Sequence, residues 1–129
     1  MTETRYKPDG YRSVQPYLIV TGAAELMSFA VAAFDAEVIE HHLTPTGTVQ
    51  HGALRIGDSI VEFADGNAQW PMAPAALHLY VPDCDAVFAR AVAAGGTVVY
   101  EVTDHEYGER SGGVKDPCGN SWFIATLTS

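Results

Sequence analysis

Residues 30–40 read AVAAFDAEVIE and residues 91–101 read AVAAGGTVVYE, so a chain of 129 residues states nearly the same string twice, at an offset of 61. Carried outward without a gap, that offset aligns residues 17–40 with 78–101. It gives eight identities in 24 positions, among them Leu18 with Leu79, Val20 with Val81, Val38 with Val99 and Glu40 with Glu101. A period of this length marks a duplicated structural unit.

Each copy opens on a β-rich run (PYLIV, LHLYV), passes through a helical segment and returns to a β pattern (AEVIEHHL, TVVYEV). Ala23, Leu26, Met27, Ala30, Val31 and Phe34 recur at three- and four-residue spacings, as do Val87, Phe88, Ala91 and Val92. This predicts two helices that each bury one face. Asp83 or Asp85 can cap the second helix and Gly95-Gly96 can end it, whereas the first has no comparable stop. Two further strands follow in each half, TVQHGALRI and SIVEFA, then RSGGVKD and NSWFIATL, with the turn formers IGDS and DPCGN between them. The pattern is βαβββ, twice. It predicts a single α+β domain over 1–129, with module 1 at about 14–65, a connector rich in Pro and Gly at 66–74, and module 2 at about 75–127.

The hydrophobic share of 47% and charged share of 18% suit a globular protein. No apolar run approaches the roughly 20 residues that span a bilayer, so no membrane partner is expected. The N-terminal MTETRYKPDGYRSVQPY carries charges where a secretory leader needs an apolar core, which points to a cytoplasmic protein with a loose N-terminal arm. Cys84 and Cys118 form no CxxC pair and read as reduced thiols. A formal charge of −9, from 16 acidic and 7 basic residues, opposes nucleic-acid binding; it mildly favours a cationic partner, although ordinary solubility accounts for it first.

The doubled βαβββ pattern, LHLYVPDCDAVFARAVAAGG in the second half and the closing YGERSGGVKDPCGNSWFIAT together resemble the vicinal oxygen chelate superfamily of glyoxalases, bleomycin-resistance proteins and extradiol dioxygenases, over about residues 11–127. The resemblance implies a curved, cup-shaped mixed sheet with helices on its outer face, and a homodimer in which modules pair. It also implies metal ligands on the first and last strand of each module of the metal-dependent members. Here those positions fall at Gln15 and Glu62, which can ligate, and at Ala76 and Phe123, which offer no donor. No cofactor is therefore expected, with a divalent metal as the alternative. His78 shares a strand face with Ala76 but lies about 6–7 Å further along, too far to replace it without moving the site.

Strand alternation extends the same face to Tyr17, His51, Arg55, Glu62, His78, Tyr80 and Phe123, and the resemblance brings Tyr107 and Arg110 to the rim. These nine residues are the expected ligand contacts: aromatic walls for stacking and a few polar groups for orientation. The leading expectation is metal-independent binding of a small aromatic or cationic molecule. The competing class is a lyase, isomerase or dioxygenase in which Glu62 works as base or acid with His78 or His51. A scaffold with a filled cup is the third. His41-His42 reads as a rim pair with one side chain turned away, His105 as a loop residue, and Trp70 as either a cover for the ligand or an anchor for the connector.

Overall fold

In a computed structural model, which describes residues 5–128, module 1 runs β1 (Tyr17–Val20), α1 (Ala23–Phe34), β2 (Glu37–Leu43), β3 (Val49–Ile56) and β4 (Ser59–Asp65). Module 2 repeats the order as β5 (Ala76–Tyr80), α2 (Cys84–Ala93), β6 (Thr97–His105), β7 (Glu109–Lys115) and β8 (Ser121–Leu127). The first four residues of the expected arm, and Ser129, lie outside the described residues. Each module forms its own four-stranded mixed sheet, in the orders β1-β4-β3-β2 and β5-β8-β7-β6. Neither sheet closes into a barrel.

The repeat in sequence is a repeat in register. β1 runs parallel to β4 with Tyr17 opposite Glu62, and β5 runs parallel to β8 with His78 opposite Phe123, the same pair displaced by the repeat offset. Alternation then sorts the side chains. Leu18, Val20, Val61, Phe63, Trp122 and Ile124 point to the helices and are at most 5% exposed, while their neighbours Tyr17, Glu62, His78 and Phe123 face the other way.

The helix-facing sides of both sheets share one core with α1 and α2. Phe34 of α1 packs on Trp122 of β8 with ring centroids 4.8 Å apart, and Phe29 meets Phe34 edge-on. Arg90 of α2 donates to both oxygens of Asp35, at 2.7 and 3.2 Å, and the Cys118 thiol donates to Gly22 O at 3.3 Å. Gly52 of β3 carries the Phe63 ring directly on its Cα; an added Cβ would stand 2.3 Å from Phe63 Cζ.

Two local expectations change. The first helix does have a stop: Asp35 adopts the left-handed geometry at φ 56°, which Asp tolerates better than most residues, and Arg90 anchors its carboxylate. His105 is the last residue of β6, not part of a loop, so the turn is confined to Glu106, Tyr107 and Gly108. At the second helix, Asp83 is the cap, accepting from Ala86 N–H at 3.2 Å.

Candidate functional site

The two sheets turn their non-helical faces outward, and the candidate residues divide between them. On the first sheet, Glu62 stands beside Tyr17 on β1 and Ala53 on β3. His51 Nε2 donates to Glu62 Oε1 at 2.9 Å, and its other nitrogen, Nδ1, lies 3.3 Å from Glu40 Oε1. A carboxylate accepts only, so a proton on Nε2 is held by Glu62, while Nδ1 faces a second carboxylate, that of Glu40. His42 is the direct cross-strand partner of His51, with rings 17° from parallel, and its Nε2 is 3.6 Å from Glu40 Oε2. Arg55 reaches Glu37 at 3.9 Å.

The N-terminal arm lies across this face. Gly10 rests against Ile60 and Arg55, which explains why Ile60 is only 2% exposed although it shares a face with Glu62. Burial raises the Tyr11 phenol, and the nearby carboxylates of Glu40 and Glu62 raise it further. The Tyr17 phenol is raised for the same two reasons, burial first and Glu62 second.

At one end of the sheet a cavity of about 580 Å³ opens between Tyr17, Ile19, Thr48, Ala64, Asn67 and Trp70. Its outer wall is the connector. Asn67 Oδ1 accepts from Gln69 and Trp70 N–H, and Asn67 N–H donates back to Trp70 O at 2.9 Å, so a tight loop presents Trp70, 61% exposed, at the mouth.

The second sheet carries a separate polar cluster. His78 Nε2 is 3.2 Å from Glu109 Oε2, and Glu109 is 6% exposed. The Tyr80 phenol is raised, first through its hydrogen bond to Glu109. His78 also packs against Tyr80 and, edge-on, Phe123. The Ser111 hydroxyl bridges Tyr100 Oη and His105 Nε2, both at 2.9 Å, and His105 stacks on Tyr107. Arg110 turns to the opposite side, where it donates twice to Asp85 and approaches Asp104 at 3.3 Å. Those two carboxylates hold its charge and raise its pKa.

Glu62 and His78 do not form the expected acid-base pair within the chain: among the described residues no hydrogen bond or ion pair joins them. Glu62 is paired with His51 in one sheet and His78 with Glu109 in the other. A metal at the position implied by the family fits poorly. Gln15 donates to Ile60 O at 2.9 Å and accepts from Arg12 N–H, which commits its amide to the backbone. Ala76 and Phe123 have no donor atom.

Glu109 escaped the sequence reading because β7 begins one residue earlier than RSGGVKD suggests, and Tyr100 and Ser111 because only the β6–β7 pairing brings them together with His105. Counted from Glu109, alternation puts Glu109, Ser111 and Gly113 on one face. Glu40 and His42 were obscured by a bulge between Val38 and Glu40, which changes the face that simple alternation assigns.

The sequence profile of the Glyoxalase/Bleomycin resistance protein/Dioxygenase superfamily matches residues 12–124. An uncharacterised protein of Mycobacterium bovis is 37% identical over 123 residues, covering 87% of this chain and 81% of its own length. One from Mycobacterium tuberculosis matches equally over 72% of its length. Among solved structures, TioX from Micromonospora sp. ML1 superposes with a TM-score of 0.73 at 22% identity, over 92% of this chain and 98% of its own. The fosfomycin resistance protein FosX from Mesorhizobium loti gives 0.66 at 17% identity, over 89% and 91%. At these identities the two structures share the fold.

Proposed function

The chain belongs to the glyoxalase, bleomycin resistance protein and dioxygenase superfamily, and on that premise we propose that it binds a small planar aromatic cation, without a metal at the family's ligand positions. The observation that carries this is the cavity between Tyr17 and Trp70, with apolar Ile19 and Ala64 on its floor. Two aromatic faces favour stacking, and the −9 charge together with the neighbouring Glu62 favours a positive ligand. The outward faces of the two sheets carry exposed Tyr17 and Tyr80, and Tyr107 is exposed in the turn after β6, which supports a homodimer that covers them.

The test is a titration of chelator-treated protein with ethidium, a planar aromatic cation, and with anilinonaphthalene sulfonate, a planar aromatic anion, followed by calorimetry and tryptophan fluorescence. Saturable ethidium binding is expected, weakened about 3- to 10-fold by Tyr17→Ala or Trp70→Ala, the range of one aromatic contact. Binding of neither probe, or binding indifferent to both substitutions, would sink the reading. A second reading has support from one contact: the 2.9 Å His51–Glu62 pair gives the acid-base enzyme a carboxylate and an imidazole on the first sheet.

A further inference from the structure

The cluster at the β2–β3 edge of the first sheet is built from different residues than the family's ligand positions, Glu62 apart. We propose that Glu40, His42 and His51 form a divalent-metal site, suited to a late first-row ion such as zinc, nickel or cobalt, with Glu62 orienting one of the ligands. The reading is independent of the aromatic cavity.

Geometry carries it first. One ligand atom from each of the three residues falls within 4.8 Å of the other two. Donors around one tetrahedral ion at 2.0–2.2 Å bond lengths sit about 3.3 Å apart. Glu40 Oε1 and His51 Nδ1 are already 3.3 Å apart, and Glu40 Oε2 and His42 Nε2 are 3.6 Å apart. The remaining adjustment falls to His42, whose side chain is 63% exposed and free to turn.

Local structure explains the convergence. The bulge between Val38 and Glu40 sets Glu40 opposite Ala53, and the side chain of Ala53 is too short to block the Glu40 carboxylate. Two residues on, His42 meets His51 directly across the ladder. His41, between them, points to the other face.

Chemistry supplies the third support. A metal-ligating histidine usually donates its second N–H to a carboxylate, which fixes the tautomer and raises the basicity of the ligating nitrogen. His51 does this: Nε2–H is held by Glu62 and Nδ1 faces Glu40. Two imidazoles and a carboxylate suit zinc, nickel and cobalt better than calcium or magnesium, and three protein donors leave a coordination position open to solvent.

The experiment uses tag-free, chelator-stripped protein titrated with cobalt, read by its visible absorption, and with zinc, read by calorimetry. One ion per chain at micromolar affinity or better is expected. His42→Ala and Glu40→Gln should each weaken binding at least about tenfold. Glu62→Gln should weaken it about 10- to 100-fold, the usual effect of losing an outer carboxylate. His78→Ala and Glu109→Gln, on the other sheet, should leave it unchanged. Circular dichroism checks that each variant is folded. Absence of saturable binding, or binding that survives both His42→Ala and Glu40→Gln, overturns the proposal. Ethidium binding measured in chelator stands or falls separately, so failure of one reading is distinguishable from failure of the other.

Discussion

Asp65 and Thr126 do the same work at equivalent places in the two modules. Asp65 Oδ1 accepts from the N–H groups of Gly22 and Ala23 at 3.0 and 2.9 Å, and Thr126 Oγ1 accepts from Cys84 N–H at 3.0 Å while donating to Val81 O at 2.7 Å. In each case the last strand of the module holds the start of its helix. At α1 this is essential, because Gly22, in left-handed geometry at φ 92°, has no side chain to cap the helix. Asp65 Oδ2 also takes Val49 N–H at 2.7 Å.

Asp65→Ala should therefore destabilise the protein by about 2–4 kcal/mol, since it strands three backbone donors, and Thr126→Val by about 1 kcal/mol. Urea unfolding would measure both. Equal, small effects would show that water replaces the carboxylate at no cost.

Asp116, buried under the DPCGN turn, accepts from the N–H groups of Cys118 and Asn120, from Asn120 Nδ2 and from Trp122 Nε1, at 2.8–3.0 Å. Asp116→Asn turns an amide NH₂ toward donors that need an acceptor. A loss of about 3 kcal/mol is expected, with a change in near-ultraviolet circular dichroism as Trp122 loses its partner. An unchanged spectrum and midpoint would contradict this.

Gly52→Ala places a methyl group inside the Phe63 ring. The strand or the ring must shift, at a cost of about 1–3 kcal/mol. Pairing Gly52→Ala with Phe63→Leu should recover part of that loss, and a double variant no better than the single one would locate the strain elsewhere.

Burial, reinforced by Asp116 and Glu25, pushes the Cys118 thiol from 9.0 up to about 11. The folded state thus holds this proton more tightly than the unfolded chain. Its contribution to stability is complete below about pH 9 and is lost as pH rises toward 11. Cys118→Ser keeps a donor for Gly22 O and does not titrate there, so its unfolding midpoint should fall less steeply over that window than that of the parent. Parallel curves would refute the assignment.

Trp122 is buried in the core while Trp70 is solvent-exposed at the cavity. Trp70→Phe should remove the red-shifted part of the emission and any quenching by ethidium, leaving a blue-shifted spectrum from Trp122. Quenching that persists in Trp70→Phe would move the ligand away from the connector.

The duplicated architecture was legible in the chain because both of its carriers are local. Apolar periodicity distinguishes helix from strand, and the constant offset reproduces the register, so Tyr17–Glu62 and His78–Phe123 follow from one another. Which face of each strand is buried followed from the same alternation, as Leu18, Phe63, Trp122 and Ile124 show. The grouping of the polar residues did not follow. Whether Glu62 meets His51 or His78 depends on how two sheets are placed in space, and side-chain pairing across a ladder is a property of strand order, which residue spacing does not encode. The bulge before Glu40 shifts alternation by one residue, enough to turn a side chain from one face to the other, and the early start of β7 adds Glu109 to the face that Ser111 occupies. The sequence alone determined the modules, their order and the missing donors at Ala76 and Phe123. Only the tertiary structure, through nonlocal packing, decided that Glu40, His42 and His51 converge, and that Tyr17 and Trp70 enclose a cavity.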